Sequence, residues 1–144
     1  MAKIDLTGTP RPHYLTEVEF VEACHRLINV TGKCFFPLSD VSIADRMDHV
    51  NFMHHEAVAW NIAHLYAREH NLKMYGKYLT VRAVNKTSPD KEISVEGFCV
   101  FNKEPKEPWG VNEYLREATF RLRFLDSEKG LTAELKVDFS YRSK

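Results

Sequence analysis

Residues 43 to 56 read IADRMDHVNFMHHE, which places the carboxyl groups of Asp45, Asp48 and Glu56, the imidazoles of His49, His54 and His55, and the carboxamide of Asn51 in one short stretch. An imidazole beside a carboxylate can pass protons near neutral pH, and a carboxylate can activate water or attack an electrophile itself. The same residue types also ligate metals, but their spacing is wrong for it. The run HEAVA lacks the second histidine of H-E-x-x-H, and no two histidines of this segment stand four apart. Acid-base or nucleophilic chemistry without metal or cofactor is the expectation.

These groups stand at the head of a helix. From Asn51 to about Asn71 the pattern is helical, and Ala57, Val58, Ala59, Trp60, Ile62, Ala63, Leu65, Tyr66 and Ala67 leave few polar positions. A helix apolar nearly all round is buried at the centre of a domain. Asn51 suits its N-cap and Glu56 suits the positive end of its dipole, so both have structural roles open to them beside chemical ones. Later on the helix, His64 and His70 are expected to face solvent or a neighbour.

Beyond the helix the chain reads as strand. KYLTVRAV is the first candidate. KEISVEGFCVF alternates, with Ile93, Val95, Cys99 and Phe101 on one face; EATFRLRFL sets Ala118, Phe120, Leu122 and Phe124 against Thr119, Arg121 and Arg123. In LTAELKVDFSYR, Leu131, Ala133, Leu135, Val137, Phe139 and Tyr141 alternate without a break. DSEKG, ending in Gly130, joins the last two as a hairpin, and NKEPKEPWGVNEY is a longer loop before them. Ahead of the polar segment, KCFFPLSDVSI reads as a strand interrupted at Pro37. Residues 14–32 read as an extra helix, with Thr16 as N-cap, Glu19 three residues on, a stripe of Phe20, Cys24, Leu27 and Ile28, and Gly32 as its stop. Residues 1–13 form an irregular arm. The expected architecture is a single α+β domain over 1–144, an antiparallel sheet wrapped around one long central helix, with an extra N-terminal helix.

Composition narrows the function. Lys plus Arg equals Asp plus Glu at 20 each, so no global field draws the chain to nucleic acid or to an anionic membrane. The three cysteines are widely spaced and never form C-x-x-C, which points to reduced, mostly buried thiols. No run approaches the 18 apolar residues of a membrane span, and the first residues lack a signal peptide's apolar core, so a cytoplasmic location is expected.

The stretch D-R-M-D-H-V-N at 45–51, followed by a long helix, resembles the D-x-M-x-H-V-N stretch of hotdog-fold acyl-CoA and acyl-carrier-protein thioesterases, the group related to 4-hydroxybenzoyl-CoA thioesterase. The resemblance covers about residues 33 to 142. It implies a homodimer or dimer of dimers with active sites at the subunit interface, near the N-terminus of the central helix. There, free helix N-H groups would polarise the thioester carbonyl. Asp45 matches the family's acid, as nucleophile or general base; His49 and Asn51 match residues that orient substrate or water. The chain departs from the family where relatives often carry a tyrosine, here His55, and where many carry a helix glutamate, here Trp60 and Asn61. Glu56 is the nearest substitute acid. The resemblance thus implies a thioester hydrolase whose small-molecule substrate is an acyl thioester of CoA or acyl carrier protein, with Asp45, His49, Asn51, His55 and Glu56 as site residues. Two other readings use the same scaffold: a dehydratase or hydratase of carrier-bound acyl chains, and a non-catalytic acyl-binding domain. The first is disfavoured because its Asp with His five residues later is missing. Lys77, Arg82, Lys86, Arg121 and Arg123 are basic groups near strands that could meet phosphates, and none is assigned that role. Phe52, Met53 and Trp60 could line an acyl or aryl tunnel, although core packing is the simpler role for that face.

Overall fold

The computed structural model describes residues 6, 14–24, 26–39, 52–101 and 115–143. Six strands form one antiparallel sheet: β1 (Leu15–Cys24), β2 (Leu27–Phe35), β3 (Leu72–Ala83), β4 (Glu92–Phe101), β5 (Leu115–Asp126) and β6 (Gly130–Ser143). Their order across the sheet is β1-β2-β4-β5-β6-β3. The helix α1 (Phe52–Glu69) stands between β2 and β3 in the chain.

The C-terminal strands follow their alternation. Ile93, Val95, Cys99 and Phe101 on β4, Ala118, Phe120, Leu122 and Phe124 on β5, and Ala133, Leu135, Val137, Phe139 and Tyr141 on β6 are all buried in one core cluster. Their neighbours of opposite parity form the outer face, as a period of two requires. The β5–β6 turn is held by the Asp126 carboxylate, whose Oδ1 accepts from the backbone N-H of Glu128 at 2.8 Å and of Lys129 at 3.2 Å. Gly130 closes it at φ 73°, a conformation that costs a residue with a Cβ about 1–2 kcal/mol.

The expected helix over 14–32 is absent. That segment is the β1–β2 hairpin, and its strands pair from Leu15 with Cys34 to Cys24 with Leu27. The expected stripe is divided by the turn, with Phe20 and Cys24 on β1 and Leu27 and Ile28 on β2, and a register shift between Leu15 and Glu17 brings Leu15 and Val18 to the same buried side. Thr16 is not an N-cap: its Oγ1 donates to the Lys33 carbonyl across the hairpin at 3.0 Å. Gly32 stops nothing either. It lies inside β2, where a Cβ would come within 2.6 Å of the Glu17 carbonyl oxygen, so the residue is there for close approach of two backbones. The strand expected at KCFFPLSDVSI is the last part of β2, which ends at Phe35, two residues ahead of Pro37.

An 18-residue helix is roughly 27 Å long, enough to cross the roughly 19 Å that separate β2 from β3 four strand spacings away. It ends where Asn71 takes φ 52° and donates its N-H to the Arg68 carbonyl, a left-handed cap that sends the chain directly into β3. Helix α1 touches β3 and β1, the two opposite edges of the sheet, as well as β6, so the sheet curls around it. Most of its circumference is buried, including Val58, Ile62, Leu65 and Tyr66, while Met53, Glu56, Trp60 and His64 mark a more open stripe at helical spacing. Among the described residues no helix is long and apolar enough to cross a membrane. The arm before residue 14 and the loop over 102–114 lie outside the described residues, save Leu6, which packs against the core.

Candidate active site at the helix N-terminus

The first turn of α1 carries two adjacent imidazoles into the protein, 7% exposed at His54 and 4% at His55. His54 lies edge-on to Tyr14, at 5.6 Å between ring centroids, and to Phe36 at 6.2 Å. His55 turns toward the sheet, 4.7 Å from Phe124 edge-on and 5.6 Å from Phe36. Aromatic rings thus wall both histidines. Tyr14 immediately precedes β1, Phe36 follows β2 and Phe124 ends the core-facing row of β5, so three separate parts of the sheet pack around one helix end.

One polar contact inside these walls is a hydrogen bond of 3.1 Å between His55 Nε2 and Thr87 Oγ1. Thr87 is buried and sits on the segment between β3 and β4. That segment is fastened along its length. The N-H groups of Val84 and Asn85 donate to the Thr132 carbonyl, Asp90 N-H donates to the Phe36 carbonyl, and Leu38 N-H donates to Asp90 Oδ1 at 2.9 Å. Lys129 reaches over from the β5–β6 turn to donate to the Lys86 carbonyl and to Ser88 Oγ, both at 3.0 Å. Thr87 was not among the expected site residues. It falls in the turn-rich run VNKTSPD, whose composition marks a loop and nothing in particular about its threonine.

Glu56, one residue further along α1, faces the more open stripe, where its Oε1 accepts from Trp60 Nε1 at 3.3 Å. The indole in turn packs edge-on against Phe139 at 5.3 Å and lies 5.8 Å from the ring of His64. Burial lowers the His64 pKa below 6.5 by disfavouring its charged form. His70, at the helix end, is exposed and rests on Tyr66 with centroids 4.3 Å apart. Asp45, His49 and Asn51 lie outside the described residues, so of the five expected site residues the structure positions His55 and Glu56, one against the sheet and one on the open stripe. Among the described residues no group of three or more His, Cys, Asp and Glu is arranged to hold a metal ion.

Charge elsewhere has structural uses. Asp126 is buried at the β5–β6 turn, where Lys91 Nζ lies 2.7 Å from Oδ1. The hydrogen bond from Lys91 and those from the Glu128 and Lys129 backbone hold its carboxyl below the ordinary 3.8 against the opposing effect of burial. The same contact raises the Lys91 ammonium above its ordinary value. Cys24, Cys34 and Cys99 form no disulfide, Cys34 and Cys99 being buried and Cys24 exposed, and burial pushes the Cys34 thiol far up, which makes it a packing group.

No protein-family model matches the sequence, and no curated protein matches it. Solved structures do resemble it. A candidate thioesterase, yhdA, from Lactococcus lactis superposes with a TM-score of 0.62 at 11% identity, covering 91% of this chain and 94% of that one. AziG of S. sahachiroi gives 0.53 at 10% identity, over 88% and 92% of the two chains. A hypothetical thioesterase from Streptococcus pneumoniae, crystallised with coenzyme A, gives 0.50 at 11% identity over 88% of each. Likeness at such identity speaks for architecture, and with the curled six-stranded sheet around α1 it establishes that the chain has the hotdog fold.

Proposed function

We propose that this chain is a thioester hydrolase acting on an acyl group carried by CoA or acyl carrier protein. The observation that carries the reading is the coincidence, in a hotdog fold, of the helix N-terminus with the polar stretch of residues 45–56. A helix start offers backbone N-H groups without intrahelical partners and the positive end of a dipole, which together stabilise the oxyanion formed when a thioester carbonyl is attacked. Asp45 supplies the attack, as nucleophile or as the base that activates water. His49 and Asn51 orient ester and water. His55 and Glu56 are positioning residues here, His55 through Thr87 and Glu56 through Trp60. The Streptococcus pneumoniae protein supports the carrier class through its bound coenzyme A, and it has also been crystallised with one aspartate changed to alanine.

The same reading includes a homodimer or a dimer of dimers. Strand β3, 12 residues long, is an edge of the sheet and pairs with β6 alone among the described strands. A long edge exposes backbone donors and acceptors that a second copy can satisfy.

The test is thiol release from short, long, branched and aromatic acyl-CoAs, and from acyl carrier protein esters, by wild type and Asp45→Ala. The expected result is hydrolysis that falls by at least about a hundredfold in the variant, the size of a lost acid-base group. His55→Ala, acting through position, is expected to change KM and kcat together. Absence of release from every ester by folded wild type would replace this reading with an acyl-binding or dehydratase role, and full activity of Asp45→Ala would remove Asp45 from it.

A further inference from the structure

The outer face of the sheet, turned away from α1, holds a groove of about 800 Å³. Its size lies within the ordinary range of small-molecule sites. Two rows of side chains cross it from strand to strand, and they differ in charge.

One row is compensated. Glu96, Arg123, Glu134 and Arg82 lie opposite one another in sequence across β4, β5, β6 and β3, with contacts of 3.6 Å from Arg123 to Glu96 and 3.4 Å from Arg82 to Glu134. The other row is not. Phe98, Arg121, Lys136 and Thr80 lie opposite one another across the same four strands, and neither Arg121 nor Lys136 forms an ion pair among the described residues. Like charges directly opposite in an antiparallel pair destabilise the sheet. Beside them Phe98 is 37% exposed, a large apolar ring next to two cations. The groove carries four cations against two carboxylates, so an anion suits it.

We propose that this row binds the base and phosphates of a nucleotide. The ring of Phe98 takes the base by stacking, and Arg121 with Lys136 takes the phosphates by charge-assisted hydrogen bonds. Strands roughly 4.8 Å apart place Lys136 about 10 Å from Phe98 along the row, a span that fits a nucleoside 5′-diphosphate laid across the strands. Thr80 adds a hydroxyl at the phosphate end. The assignment does not depend on thioester hydrolysis, since it uses the face opposite α1. One chemistry has two sources, a free nucleotide or the nucleotide arm of a CoA ester.

Calorimetric titration of the full chain with ADP, adenosine and pyrophosphate, without any thioester, tests the site. The expected result is ADP binding that weakens as salt rises, falls roughly tenfold or more in Arg121→Ala/Lys136→Ala, and changes less than about twofold in Arg82→Ala. Phe98→Ala is expected to weaken ADP and leave pyrophosphate unchanged. Displacement of ADP by CoA, with both weakened in the double variant, identifies the carrier's arm as the source; CoA binding indifferent to that variant identifies a free nucleotide. The proposal is overturned if folded wild type binds no ADP, if pyrophosphate binds as tightly as ADP, or if the double variant binds ADP as wild type does.

Discussion

The β5–β6 and β1–β2 hairpins belong to one sheet and close one core, yet they are built differently. In β5–β6, core-facing residues recur at every second position through the long paired region, the register shifts once, beside the turn, and a buried carboxylate fixes the turn. In β1–β2 the register shifts near both ends, and the buried side of β1 is made by Leu15 and Val18 rather than by an even alternation. Regular pairing concentrates stability in apolar side chains; bulged pairing transfers part of it to backbone fit.

That contrast can be broken by substitution. Phe120→Ala removes a ring from the centre of β5, where it meets Tyr66 and Phe139, and is expected to cost about 3–5 kcal/mol in chemical denaturation. In the other hairpin the sensitive position has no side chain. Gly32→Val forces a Cβ against the Glu17 carbonyl and is expected to cost about 1–3 kcal/mol, with exchange of β1 and β2 amides accelerated ahead of those in β5 and β6. A smaller effect, about 1–2 kcal/mol, is expected for Gly130→Ala, from the left-handed turn alone. The finest distinction concerns pH. Because Asp126 titrates below 3.8 in the folded chain, its contribution is complete above that value and is lost as pH falls below it through the folded value. Thermal melts of Asp126→Asn should therefore show a deficit at neutral pH that closes on acidification below 3.8. The Lys91 side of the pair runs the other way, its contribution complete below 10.5 and lost as pH rises above it.

The same contrast explains what the sequence disclosed. The faces of β4, β5 and β6 and the burial of α1 were legible because a period of two and an all-round apolar helix each have one reading. The β1–β2 hairpin was not, since Phe20 and Cys24 on one strand and Leu27 and Ile28 on the next fall at helical spacing across a tight turn, and Thr16, Glu19 and Gly32 supplied a plausible start and stop. The even alternation of Ile28, Val30, Gly32 and Cys34 was the contrary signal, diluted by a glycine at its third position. At the site, the gathering of titratable groups at the helix start was visible in composition. The Thr87 contact was not, because a partner 32 residues away is chosen by the fold and no local spacing announces it.

Lys129 links these two accounts. Its ammonium spans from the β5–β6 turn to Lys86 and Ser88, the residues on either side of Thr87. Opening of that loop breaks two exposed hydrogen bonds to a lysine seated on the turn that Asp126 holds. The surroundings of His55 are thereby tied to the far end of a hairpin, and the two are expected to loosen together.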